Sequence, residues 1–260
     1  MGWRDKIEDM LSFLKIPKHT LARIATLFVI YVIGLVLRLQ PLILHGANHR
    51  AYDPFIQYRA TQILLEEGLT GMLEYYDYKY WYPYGVTLSK LYIIVPILGA
   101  LMYIILNALG IHVDLLTAIT IVPAILGSLC VLVVYFIGRE VKNHNVGLIA
   151  ALITAISPGF LQRSIAGFYD NEMSILFVLI MFLFYIKAIK TGSISSAVIS
   201  GFFGGIVCWS WGIWRYTVLI IAIYTFLRIV SGKLDHNDSI AYIMTNAVSY
   251  THLRAHETEA

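Results

Sequence analysis

Three features of the sequence predict an all-α, polytopic membrane protein: its composition, the length of its apolar runs, and the placement of basic residues between them. Of 260 residues, 58% are hydrophobic and 13% charged, and the mean hydropathy of +0.72 lies outside the soluble range. A helix needs about 20 mostly apolar residues to cross roughly 30 Å of hydrocarbon, and several runs qualify. The net charge of +3 is spread in short clusters between those runs. That pattern argues against nucleic acid as a partner and makes the cations reporters of orientation.

The head, residues 1–20, carries Arg4, Lys6, Lys15 and Lys18. Trp3, Ile7, Met10, Leu11 and Leu14 fit an amphipathic helix on the membrane surface, cytoplasmic by the positive-inside rule. The apolar run 21–44 is too long for a signal-peptide core and lacks a small-residue cleavage pattern, so its span, 21–40, stays as an anchor. An outer loop, 41–114, follows, with a polar, Tyr-rich segment at 45–90. Further apolar runs cover 91–109, 115–137, 146–161, 173–189, 197–211 and 217–230.

If every run crossed, Arg139, Lys142, Lys187, Lys190, Arg228 and Lys233 would all lie outside. Treating 91–109, which contains Pro96 and Gly99, as a re-entrant or interfacial helix returns them inside and leaves about six spans. The same step puts the loop 163–172 on the outer face with 45–90. Residues 21–247 are thus read as the membrane domain. After Asp238 a moderately apolar run turns into a string that resembles translated sequencing-adapter read-through, so 248–260 is read as a non-native tail. Cys130 and Cys208 fall in apolar runs and define no metal or disulfide framework.

Two outer segments carry acids. In the first, Asp53 precedes Pro54, which pushes it from helical geometry. Asp53 reads either as a helix cap or as a ligand for a divalent cation, which seeks one or two carboxylates and keeps positions for substrate oxygens. In the second, Asp170 and Glu172 stand two apart. On a continuous helix they would diverge by about 200°, so shared coordination needs a non-helical turn, eased by Gly167. Capping by Asp170 is the competing reading. Two acidic loops on one face, with Arg163 to neutralise part of the charge, favour a metal. Trp81, Tyr82, Trp211 and their aromatic neighbours read as an interfacial belt, or as surfaces against isoprenoid or sugar. Arg38 and Arg215, near outer ends of spans, read as phosphate ligands or as snorkelling cations.

Four strings, in this order and spacing, resemble landmarks of oligosaccharyltransferase catalytic subunits. They are Asp53-Pro54-Phe55-Ile56-Gln57-Tyr58-Arg59-Ala60-Thr61, Trp81-Tyr82-Pro83-Tyr84-Gly85, Arg163-Ser164-Ile165-Ala166-Gly167-Phe168-Tyr169-Asp170-Asn171-Glu172 and Lys190-Thr191-Gly192-Ser193-Ile194. The resemblance, closest to the archaeal type, implies a GT-C glycosyltransferase membrane domain, truncated. Its activity would be inverting transfer of an oligosaccharide from a polyprenyl or dolichyl phosphate or diphosphate to Asn in Asn-x-Ser/Thr. It implies that Asp53, Asp170 and Glu172 bind Mn²⁺ or Mg²⁺, with Asp53 also on the acceptor amide and Arg163 supporting the carboxylates. The family continues with a further acidic loop and a sequon-binding domain that this sequence lacks, so the fragment alone is expected to be inactive. Accessory subunits stay open. The implied location is a cell membrane for an archaeal protein or the endoplasmic reticulum for a eukaryotic one, with the site on the outer or lumenal face. The alternatives are a protein O-mannosyltransferase-like GT-C enzyme, against which the Tyr169 to Glu172 motif argues, and an ion-coupled transporter. The transporter would place its acids at the bilayer midplane rather than in loops.

Overall fold

The structure, a computed structural model, describes residues 17–258. The head expected as a surface helix lies largely outside the described residues. Ten α-helices are described: α1 (Lys18–His45), α2 (Asp53–Glu74), α3 (Ile94–Ala108), α4 (Leu115–Val141), α5 (His144–Ile156), α6 (Pro158–Gln162), α7 (Ile175–Thr191), α8 (Ile194–Cys208), α9 (Trp214–Val230) and α10 (His236–Thr258). A two-residue hairpin pairs β1 (Tyr76–Asp77) with β2 (Val86–Thr87). The protein is an all-α integral membrane protein. Among the described residues, three segments are long and apolar enough to cross: Lys18–His45, Leu115–Val141 and Asn171–Thr191. The other crossings expected fall on helices of 17 residues or fewer.

α4 is the centre of one half, packed on α1, α3, α5 and α7, and α7 leads to α8 and α10. Small residues allow the close approaches. A Cβ on Gly138 of α4 would sit 2.8 Å from the Gly147 Cα of α5, and one on Gly201 of α8 would sit 2.8 Å from the Thr245 carbonyl of α10. Apolar side chains such as Phe28, Val29, Ile220 and Phe226 remain exposed on the outside, as lipid contact requires. The helix α10 continues through Val248 and Ser249, whose hydroxyl donates to the Gly201 carbonyl, and on to Thr258.

Two elements differ from expectation. The polar segment 45–90 contains a 22-residue helix, α2, broken at Gly68, where φ is +75°. Ile56, Ala60 and Ile63 recur at helical spacing and form its buried stripe. The run 146–161 is two helices, because Pro158 holds Ser157 extended (φ −59°, ψ 118°) between α5 and α6. The helix α3 spans 15 residues, about 22 Å and short of the hydrocarbon thickness.

Arg38, expected either as a phosphate ligand or as a snorkelling cation, does not snorkel: it is fully buried near the end of α1. Its Nε donates to Ser164 Oγ at 3.0 Å. Its Nη1 donates to the Gly34 and Ala155 carbonyls at 2.9 and 3.2 Å, and its Nη2 to the Thr154 carbonyl at 3.3 Å. The guanidinium lies 5.0 Å from the Phe160 ring centroid. Arg38 therefore ties α1 to the end of α5 and to the segment that carries the second acidic loop. Arg38→Met strands those acceptors, and charge-assisted hydrogen bonds of this kind contribute about 1.5–3 kcal/mol each at most. A loss of roughly 3 kcal/mol is expected, read as an earlier thermal transition in detergent.

Candidate active site

The two loops that carry the acids are docked on each other through their backbones. The Ala166 N–H donates to the Arg38 carbonyl at 2.8 Å, and the Gly167 N–H to the Thr120 carbonyl at 2.9 Å. From the other side, the Arg50 N–H donates to the Gly167 carbonyl at 3.0 Å. Gly167 has φ +90°, and a Cβ there would lie 2.2 Å from the Asn48 carbonyl oxygen. Only glycine meets both demands. The turn before α2 is thereby fixed against the turn before α7.

Tyr169 pins a third element. It is fully buried; its hydroxyl donates to the Val95 carbonyl at 2.6 Å and lies 3.0 Å from Thr61 Oγ1. One side chain thus joins the second loop to α2 and α3. Burial raises the Tyr169 pKa, so the hydroxyl stays protonated. Tyr169→Phe is expected to cost about 1–2 kcal/mol by leaving the Val95 carbonyl unpaired. Faster amide exchange in residues 168–174 would check it.

Asp170 is buried and caps the short 3₁₀ turn Asn171–Ser174, accepting from the Asn171 N–H at 2.7 Å. The capping reading therefore holds for Asp170, through one oxygen. Glu172 is half-buried and pairs with the exposed Arg163 at 3.2 Å. Asp53, at the first position of α2, is exposed, and the start of that helix has no side-chain cap. The Asp170 carboxyl is pushed up to about 7. Burial is the main cause, opposed by the Asn171 N–H and reinforced by the charges of Glu172 and Asp53 and a hydrogen bond with Glu172. Asp170 thus feels the charge of both other acids, and Arg163 pairs with Glu172.

Sequence reasoning overlooked Gln57, one turn along α2 from Asp53. It is buried, its Nε2 donates to Asn171 Oδ1 at 3.4 Å, and its Oε1 has no partner. It also overlooked the ion pair between Arg59 and the buried Asp77, which the Tyr-rich composition concealed. The other expected substrate residues stand apart from the acids in the chain. Trp81 and Tyr82 are exposed in the β1–β2 connection, Trp211 is half-buried between α8 and α9, and exposed Arg215 stacks 5.2 Å from the Trp214 ring centroid. The Trp209 carbonyl accepts from the Ile94 N–H at 3.4 Å, which docks that connection on the start of α3.

Asp53 also lines a cleft of about 360 Å³ with Tyr52, Phe55, Arg59, Lys79 and Tyr80. A cavity of about 380 Å³ among α8, α9 and α10, lined by Cys208, Trp214, Val218 and Tyr250, has no carboxylate. Among the described residues, no three His, Cys, Asp or Glu side chains converge closely enough to hold a metal ion as they stand. The fit is one of chemistry: Asp170, Glu172 and Asp53 offer the hard oxygen donors that divalent cations take, with Arg163 already paired to Glu172.

Residues 44–254 match the family model described as "Oligosaccharyl transferase STT3, N-terminal". The chain belongs to the STT3 family. Among STT3 relatives, the dolichyl-diphosphooligosaccharide–protein glycosyltransferase subunit STT3B of Oryza sativa subsp. japonica is 30% identical over 230 residues. The match covers 88% of this chain and 32% of that subunit, so the chain spans about a third of the length of such relatives. The archaeal oligosaccharyltransferase AglB from Archaeoglobus fulgidus, solved with an inhibitory peptide and a dolichol-phosphate, superposes with a TM-score of 0.78 at 26% identity. That likeness covers 88% of this chain and 29% of AglB. The Archaeoglobus enzyme in complex with Zn and sulfate gives a TM-score of 0.76 at 26% identity, over 87% of this chain and 30% of the enzyme. The STT3 fold therefore extends over both acidic loops.

Proposed function

We propose that this chain supplies the first two acidic loops of a metal-dependent oligosaccharyltransferase, which transfers an oligosaccharide from a polyprenyl or dolichyl phosphate or diphosphate to Asn in Asn-x-Ser/Thr with inversion. The observation that carries this reading is the docking of the turn that leads into Asp53 on the loop that carries Asp170 and Glu172, through Arg50 and Gly167, in a chain of the STT3 family. AglB bound to dolichol-phosphate and an inhibitory peptide supports the donor and acceptor classes, and the Archaeoglobus enzyme's complex with Zn supports a divalent cation as cofactor.

Asp53, Asp170 and Glu172 would hold Mn²⁺ or Mg²⁺, which supplies Lewis acidity toward the phosphate leaving group. Asp170 must release its proton to serve as a ligand. Glu172 is oriented by Arg163, which also limits the repulsion among the carboxylates. Asp53, exposed and uncapped, is free to accept from the acceptor amide N–H, weakening amide conjugation as the nitrogen attacks. The site belongs to the outer or lumenal face, in a cell membrane or the endoplasmic reticulum.

The test uses the full-length protein in membranes with lipid-linked oligosaccharide and an Asn-x-Thr peptide. Transfer is expected with Mn²⁺, to be abolished by chelator, and to be absent with a Gln-x-Thr peptide. Glycosylation of the Gln-x-Thr peptide on its threonine would replace this reading with O-glycosyl transfer.

A further inference from the structure

We propose that Gln57 is a positioning residue of the metal site: its carboxamide holds the second acidic loop through Nε2 and accepts, through Oε1, from water carried by the bound cation. The proposal rests on the metal-dependent reading above and adds to it a neutral group outside the acids.

Asp53, Gln57 and Thr61 recur at every fourth position of α2 and so share one face. That face meets the second acidic loop at two points. The Thr61 hydroxyl lies 3.0 Å from that of Tyr169, and Gln57 Nε2 donates to Asn171 Oδ1 at 3.4 Å. Asn171 stands between Asp170 and Glu172, and its N–H donates to Asp170 Oδ1 at 2.7 Å. The Gln57 side chain therefore bridges the helix turn after Asp53 to the residue between the two acids of the other loop.

The oxygen of that carboxamide is left open. Gln57 is 3% exposed, and among the described residues its Oε1 has no hydrogen-bond partner. Buried amide oxygens are nearly always paired, and one left unpaired costs more than a single hydrogen bond of 3.4 Å contributes. Fastening the loops does not account for the residue, since an apolar side chain of similar size would fill the space without that cost. A donor supplied at the site does account for it. A divalent cation such as Mg²⁺ keeps several of its waters when carboxylates bind it, and groups that receive those hydrogens orient the site without entering the ligand set. A neutral acceptor suits this place better than another acid, because Asp170 already feels the charges of Glu172 and Asp53.

The experiment uses the full-length protein, with Mn²⁺ affinity read from the electron paramagnetic resonance signal of the free ion. Gln57→Leu is expected to weaken Mn²⁺ binding by about ten- to a hundredfold, the scale for a group that orients a metal's ligands. The metal-free variant should melt no earlier than the parent, and excess Mn²⁺ should restore most of its kcat. Gln57→Glu keeps oxygen acceptors but loses the N–H on Asn171, and is expected to bind Mn²⁺ at least as tightly as the parent. Thr61→Val is the control: it loosens the same face at Tyr169 and leaves the free oxygen in place, so its Mn²⁺ affinity should match the parent's. Unchanged affinity in Gln57→Leu overturns the proposal, as does earlier melting of its metal-free form. An equal loss in Thr61→Val or in Gln57→Glu also overturns it, and makes Gln57 a strut between the loops. The titration needs no turnover. A protein that binds Mn²⁺ through Gln57 but glycosylates no peptide keeps the inference and rejects the transfer reading, whereas an active enzyme whose Mn²⁺ affinity ignores Gln57 rejects the inference alone.

Discussion

Gly167→Ala is expected to lower transfer by the full-length enzyme about a hundredfold or more while the helices stay in the membrane. The residue works at two levels. Its φ of +90° costs any L side chain, about 1–3 kcal/mol for a non-glycine residue held there. The added methyl would also lie 2.2 Å from the Asn48 carbonyl oxygen, so the turn before α2 must retreat by about 1 Å to reach contact distance. That turn leads into Asp53, and a 1 Å misplacement of reacting groups is enough for about a hundredfold loss. Helical circular dichroism should change little, while Mn²⁺ affinity, measured by titration, should fall with the activity. Unchanged affinity would mean that the two loops are aligned by something other than this contact.

Asp170→Asn is expected to separate stability from activity. In the metal-free protein the carboxyl is held at about 7, against an ordinary value of 3.8. Below about pH 3.8 the proton is bound in folded and unfolded chains alike, and its contribution to stability is complete. As pH rises through 7 the folded chain must release it, and that contribution is lost. The metal-free parent should therefore lose stability between about pH 4 and 7, and the asparagine variant should not. The ion competes with the same proton, so apparent Mn²⁺ affinity in the parent should fall by up to about tenfold per pH unit below 7. Transfer by the variant should drop about a hundred- to thousandfold at every pH, the scale for removing one electrostatic contact to a developing charge. A variant as active as the parent would remove Asp170 from the metal site.

The membrane architecture was legible because lipid imposes long apolar runs, which counting detects. The acids were legible because a carboxylate next to Pro54, or in the string Tyr169-Asp170-Asn171-Glu172, is conspicuous in an apolar chain. What escaped depends on pairing across distance. Arg38 looked like a cation near a span end, since nothing local shows that Ser164 and the end of α5 would surround it. α2 was hidden by its polar exposed face, although Ile56, Ala60 and Ile63 keep the helical period. Gln57 and Asp77 take their importance from Asn171 and Arg59, partners that only the folded chain supplies.

The Arg38 clasp also bears on how the chain is made. α1 is synthesised first, and Ala155 and Ser164 follow 117 and 126 residues later. During that interval the guanidinium sits on an apolar helix long enough to cross the membrane, with its acceptors on α5 and at Ser164 not yet translated. A central arginine costs about 2.5–3.5 kcal/mol on insertion scales, a load that this apolar helix can carry but that leaves its Arg38 end the least settled part. Arrival of α5 and the segment after Pro158 closes the clasp and, through the Ala166 N–H on the Arg38 carbonyl, orders the loop that presents Asp170. Biogenesis and site formation then share one step, and a ribosome-stalled chain ending before Ser164 should have an anchored α1 but no carboxylate pair to bind metal.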